Sequence, residues 1–177
     1  MNLILVGARG SGKSAVAREL TRMLEREAIS TDVEIERRAN ASIKDYVGAN
    51  GWKAFRILES EVVRDLAVQE NIVLDTGGGV VARAENIAML RANGIVFWLK
   101  ASVETLAARI KPDTNRPSLT GEKNFIDEIA GILVEREPLY TSAAHYAVVT
   151  ENRTVPDIAR EIAGIFAAAL PTDQPKS

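Results

Sequence analysis

Three short stretches hold most of the residues in this sequence that could do chemistry: "GARGSGKS" at 7–14, "AISTDVEIE" at 28–36 and "IVLDTGGG" at 72–79. The first matches G-x-x-x-x-G-K-[ST] from Gly7 to Ser14, a loop whose backbone N–H groups close around phosphate oxygens. Gly7, Gly10 and Gly12 give the chain the freedom to turn those groups inward, with Ser11 and Ala15 supplying further contacts. Lys13 is suited to neutralise β- and γ-phosphate charge, and the Ser14 hydroxyl to ligate Mg²⁺. A dinucleotide loop needs its middle glycine where Arg9 stands, so a nucleoside triphosphate, ATP, is the expected ligand.

The other two stretches supply carboxylates. Asp32 offers a carboxylate, the group that phosphoryl-transfer enzymes use to accept the proton of an attacking hydroxyl. Asp75 ends a buried apolar run downstream of the phosphate loop, where other P-loop enzymes keep a metal-binding aspartate. Its blander role is to cap the glycine-rich turn that follows. Gly77, Gly78 and Gly79 would let backbone approach a ligand that a side chain would exclude, or form only a tight turn. Arg56 and Arg136 carry planar guanidinium forks, which bind carboxylates in a way lysine does not. Arg56 also has Glu59 three residues on, the spacing of a common solvated ion pair, and Arg136 is expected near a helix end that favours cations. Trp52 is read as a packing or gating aromatic, and His145, the only histidine, as structural.

Positioning these residues requires strands and helices in alternation. Short apolar runs at 3–6, 28–30, 72–74, 95–99 and 146–149 read as strands, most of them buried on both faces. Helical periodicity separates them at 14–27, 55–68, 84–92, 103–110, 126–137 and 156–170, the last with Pro156 in its first turn. The expected fold class is therefore α/β, a single domain over 1–170 built on a parallel sheet. Residues 111–124, "KPDTNRPSLTGEKN", are too polar and too long for an ordinary connection and read as a flap. The tail 171–177, "PTDQPKS", is expected to be disordered.

Composition narrows the class. The 177 residues are 46% hydrophobic and 26% charged, with a net charge of −2, which offers no basic field to nucleic acid or an anionic membrane. Cysteine is absent, so disulfides and thiolate metal sites are excluded. The opening run lacks a preceding basic region, and no apolar run nears the roughly 18 residues of a membrane span, so a cytoplasmic location is expected.

Taken together, "TDVEIERR", "GWKAFRILESEVV", "DTGGGVV", "NRPSLTG" and "EREPLY" follow the phosphate loop in the order and spacing of shikimate kinases. The chain resembles that family over nearly its whole length. "GARGSGKS", Gly51-Trp52, "RPSLTG" and "AHY" are similar to the second bacterial isozyme type. The resemblance implies a nucleoside-monophosphate-kinase-like fold with a five-stranded parallel sheet in order 2-3-1-4-5. It also implies a substrate segment at about 31–60 and a lid at about 111–124. The implied reaction moves the γ-phosphoryl group of ATP to the 3-hydroxyl of shikimate, on the way to chorismate and the aromatic amino acids. Position by position, Asp32 matches the aspartate that orients the attacking hydroxyl. Arg56 and Arg136 match the carboxylate grip, Gly78 a backbone donor to the substrate, Arg116 the lid arginine that reaches the phosphates, and Arg109 the one that packs on adenine. A monomer is the default.

One position departs from the family pattern. Where shikimate kinases normally open with Asp-x-Asp, and the first aspartate helps hold Mg²⁺, this chain has Ser30, a weaker ligand for a hard cation. Asp75 is expected to take over. Two rivals stand beside this expectation: another small-molecule kinase, for gluconate or a nucleoside monophosphate, and a shikimate-kinase-like binding protein that has lost turnover.

Overall fold

The computed structural model describes residues 1–110 and 125–170; the expected lid at 111–124, Arg116 within it, and the tail at 171–177 lie outside the described residues. Five strands, β1 (Asn2–Val6), β2 (Ala28–Ser30), β3 (Val73–Asp75), β4 (Gly94–Lys100) and β5 (Tyr146–Val149), form one sheet in the order β2-β3-β1-β4-β5. Every pairing is parallel. The expected α/β class and strand order are both present.

Strand burial explains why the runs read as apolar on both faces. On β1, Ile4 and Val6 join a core with Leu74, Val96, Trp98, Phe55 and Val62, whereas Leu3 and Leu5 join another with Val73, Phe97, Leu20 and Ile162. A central parallel strand covered on both sides has no polar face to show. The second core is closed by α1 (Lys13–Leu24) and α7 (Val155–Ala169), whose N-cap Thr154 accepts the Asp157 N–H just ahead of Pro156. At the sheet edge His145 extends the ladder: its N–H donates to Val96 O at 2.8 Å and its Nδ1 accepts the Val96 N–H at 2.9 Å. Burial and the Arg91 charge hold the imidazole below its ordinary pKa, which keeps that acceptor unprotonated.

Between β2 and β3 the structure contains more helix than periodicity predicts. Helix α2 (Thr31–Ala39) starts at Ser30, whose Oγ accepts the Val33 N–H at 3.4 Å, and it buries only Thr31 and Ile35. Two buried side chains make too thin a stripe to reveal a helix by spacing; Glu34 paired with Arg37 and Arg38 supports it instead. Helix α3 (Ile43–Ala67) begins twelve residues before the expected start at Phe55 and is broken at Gly51, whose φ of 79° and ψ of 166° are not helical. Helices α4 (Ala84–Ala92) and α5 (Val103–Arg109) fall where expected. Helix α6 (Phe125–Ala143) runs past the expected end at Glu137 and through Pro138. Pro138 has no N–H to return to residue 134, and that turn faces outward, with Val134 76% exposed. Arg136 thus lies inside a helix rather than near its end.

Candidate active site

Parallel register brings the ends of three strands into one row: Leu5 pairs with Asp75, and Asp75 with Ser30. The phosphate loop leaves β1 at this row and runs into the N-terminus of α1, where helix dipole and free N–H groups favour an anion. Gly7, Gly10 and Gly12 all have positive φ, the conformations the motif requires. Lys13, 8% exposed, donates from Nζ to Gly7 O at 2.9 Å and Ala8 O at 3.1 Å, so its ammonium is held along the loop. Ser11 Oγ is buried and has no hydrogen-bond partner among the described residues. Ile110, next to Arg109, would collide with a side chain at Gly10, which sets the end of α5 against the loop. Arg109 itself donates to Thr150 Oγ1 and Thr150 O, both at 2.9 Å, and is anchored to the end of β5.

Ser14 and Asp75 meet. Ser14 Oγ donates to Asp75 Oδ2 at 2.6 Å, joining the first turn of α1 to the end of β3. This is a pair of hard oxygen donors, a hydroxyl and a carboxylate, of the kind Mg²⁺ accepts together with substrate phosphates. Ser30, on the adjacent strand end, is engaged in capping α2.

The second half of the site gathers around Gly77, Gly78 and Gly79. A Cβ on Gly77 would stand 2.6 Å from Asp32 Oδ1, so only glycine admits that carboxylate from the first turn of α2. A Cβ on Gly79 would be driven into the Arg56 guanidinium. Gly78 lies against the phosphate loop: a Cβ there would be 3.3 Å from Arg9 N and 3.4 Å from Gly7 O. Arg136, from α6, donates from Nη1 to Gly78 O at 3.1 Å. Asp32, Arg56 and Arg136, predicted from stretches over a hundred residues apart, therefore surround the same three glycines.

Residues not singled out as functional in the sequence hold this group in place. Glu59 is only 1% exposed and accepts from Arg56 Nη1 at 2.6 Å, so the Arg56–Glu59 pair is not the solvated pair its spacing suggests. Burial pushes the Glu59 carboxyl up; Arg56 and Arg136 pull it down, and Asp32 adds to the upward push. The Arg56 guanidinium lies 5.5 Å from the Trp52 ring and 5.1 Å from Phe55, and those two rings meet edge to face. Thr31 Oγ1 accepts the Gly77 N–H at 2.9 Å. Tyr140, fully buried, donates its hydroxyl to Gly78 O. Its signal in the sequence is spacing: Arg136 and Tyr140 are four apart and share a face of α6.

The arrangement has two compartments with a shared wall. One offers backbone, Lys13, Ser14 and Asp75, groups that suit a polyphosphate and a metal ion. The other offers a carboxylate beside two guanidinium groups, which suits a small hydroxylated acid. The model of the shikimate kinase family matches residues 9–166. A shikimate kinase of Nitratidesulfovibrio vulgaris is 43% identical over 168 residues, covering 93% of this chain and 95% of that one. A shikimate kinase 2 of Photorhabdus laumondii is 42% identical over 149 residues, covering 82% of this chain and 84% of its own. The structure of an Acinetobacter baumannii shikimate kinase in complex with shikimate superimposes with a TM-score of 0.90 at 36% identity, covering 96% of this chain and 95% of that one.

Proposed function

The chain belongs to the shikimate kinase family, and on that premise we propose that it phosphorylates the 3-hydroxyl of shikimate with Asp32, Arg56, Arg136 and the Gly77–Gly79 loop as its acceptor site. The observation that carries this assignment of roles is the position of Gly78, in contact distance of the phosphate loop on one side and hydrogen-bonded to Arg136 on the other. A hydroxyl oriented by Asp32 then lies across one glycine loop from the γ-phosphate. In the step itself the 3-oxygen bonds to the γ-phosphorus as the bond to the bridging β,γ-oxygen breaks. ADP leaves, and the hydroxyl proton passes to the Asp32 carboxylate. Lys13 neutralises phosphate charge, and the two arginines fix the ring by its carboxylate, so the chain contributes alignment and electrostatics more than covalent chemistry. Arg109 and Arg116 complete the nucleotide side in this proposal, against the base and the phosphates.

Ser14 and Asp75 are the residues that would hold Mg²⁺. Bound there, the ion would neutralise charge on the β- and γ-oxygens. The hydrogen bond between them supports an exchange of roles: β3 supplies the carboxylate that Ser30 on β2 lacks. Asp75→Ala is expected to raise the Mg²⁺ requirement at least tenfold, and to weaken Mn²⁺ binding to the ADP complex measured by electron paramagnetic resonance. Ser30→Ala should leave both unchanged while removing the α2 cap, a stability loss of about 1 kcal/mol. Unaltered Mn²⁺ binding in Asp75→Ala would refute the exchange.

Activity is tested by coupled ADP release with shikimate, gluconate and nucleoside monophosphates, each with and without Mg²⁺. Metal-dependent release with shikimate alone is the expected result. Shikimate binding without release would identify the chain as an inactive relative. A cytoplasmic monomer fits this function, and no helix among the described residues is long and apolar enough to cross a membrane.

A further inference from the structure

The three-glycine loop is held by more bonds than a tight turn needs. Gly77 O accepts the Val80 N–H at 3.1 Å, Gly79 O accepts the Ala82 N–H at 3.0 Å, and the Gly77 N–H is taken by Thr31. The Gly78 carbonyl alone is held by side chains, and both come from one face of α6: the Arg136 guanidinium and the Tyr140 hydroxyl. Arg136 and Tyr140 thus share one acceptor, and the Arg136 charge acts on the phenol beside it. The phenol ring stacks on Trp98 of β4, with centroids 5.7 Å apart and planes within 19°, so the hydroxyl has a rigid mount. Burial pushes its pKa up to about 12, and it stays a donor throughout the working range of pH.

A peptide unit is planar and trans, so the Gly78 C=O and the Gly79 N–H point in opposite directions. A carbonyl turned toward α6 turns that N–H away from α6. Neither the Gly78 nor the Gly79 N–H has a partner among the described residues. We infer that Tyr140 is a positioning residue for the acceptor: its hydroxyl clamps the Gly78–Gly79 peptide, on the same carbonyl that Arg136 binds, in the geometry that receives a carboxylated, hydroxylated ring. Tyr140 touches neither substrate and acts through Arg136 and the glycine backbone. The inference rests on the acceptor site proposed above.

Tyr140→Phe keeps the ring, its stack on Trp98 and the helix, and deletes only the hydroxyl. The KM for shikimate should rise about tenfold, the ratio that follows from losing one hydrogen bond to a buried carbonyl. The KM for ATP should stay within twofold. A merely structural tyrosine would instead lower kcat in proportion to the folded fraction and leave both KM values alone; that result, or an unchanged KM for shikimate, overturns the inference. A wild-type protein that fails to bind shikimate would refute the acceptor site itself, which separates the two claims. A second measurement needs no variant. The proton of a buried, bonded hydroxyl exchanges slowly with water, so the Tyr140 OH resonance of the intact protein should shift on adding shikimate and stay still on adding ADP. A shift with ADP alone, or with neither, also overturns the inference.

Discussion

The phosphate side and the acceptor side of this site are built on different plans. Most of the phosphate side comes from eight consecutive residues, Gly7 to Ser14, at the junction of β1 and α1. Their geometry follows from local conformation: a strand, glycines at positive φ and a helix N-terminus. The acceptor side takes Asp32 from α2, Arg56 from α3, three glycines after β3 and Arg136 from α6. No local rule assembles these; they meet because α2, α3 and α6 close over the same end of the sheet. A contiguous loop holds any triphosphate, whereas a scattered site can be shaped to one acceptor. Nucleotide binding is thus generic here, and identity resides in the long-range contacts.

Variants on the phosphate side should therefore damage catalysis whatever acceptor is offered, and those on the acceptor side should act on shikimate alone. The largest effect is expected from Lys13→Met. It removes the ammonium from the loop, and with it charge stabilisation in the transition state, so kcat should fall roughly a thousandfold. Shikimate affinity, measured by calorimetry, should stay within twofold. A Lys13→Met enzyme that lost shikimate binding would show that the two compartments are one.

Next in size is Gly79→Ala. The new Cβ would occupy the space of the Arg56 guanidinium, the far end of a flexible side chain that can yield without unfolding the protein. The expected result is a folded enzyme whose KM for shikimate is raised between ten- and a hundredfold, with ATP binding untouched. If ATP binding weakened equally, the wall between the compartments would be transmitting strain, and the division of labour would fail.

The same contrast explains what could be read from sequence. Gly7 to Ser14 form a fixed-spacing motif between an apolar run and an amphipathic stripe, so loop, strand and helix were all legible. The α/β class followed from alternation, and the strand order only from the family resemblance. Helix α2 was not legible, because two buried residues set no period; the early start of α3 was hidden by the break at Gly51. Arg56 and Arg136 could be named only through resemblance, since either alone reads as a surface cation. Glu59 and Thr31 carried no signal of function, and Tyr140 only its spacing from Arg136. A glutamate three residues from an arginine and a tyrosine in a helix are commonplace until burial and partners are known. Asp75 was legible as a carboxylate at a strand end, and its bond to Ser14 was not, because that contact spans 61 positions.

Glu59→Gln gives the smallest effect and tests the acceptor side from beneath. Gln keeps an oxygen that can accept from Arg56 and gives up the charge, so the KM for shikimate should rise only about threefold. Stability should respond through pH. Burial raises the Glu59 carboxyl above its ordinary value of 4.5, so the folded protein binds this proton more readily than the unfolded chain does. Its contribution to stability is therefore full below about pH 4.5 and is lost as pH rises through the elevated folded value. Urea unfolding across that range should show wild type losing ground to Glu59→Gln as pH increases. The opposite slope would mean that Arg56 outweighs desolvation, making Glu59 an ordinary stabilising partner. A downward slope means instead that the fold gives up stability near neutral pH to keep a charged anchor beneath Arg56, a cost the contiguous phosphate loop does not incur.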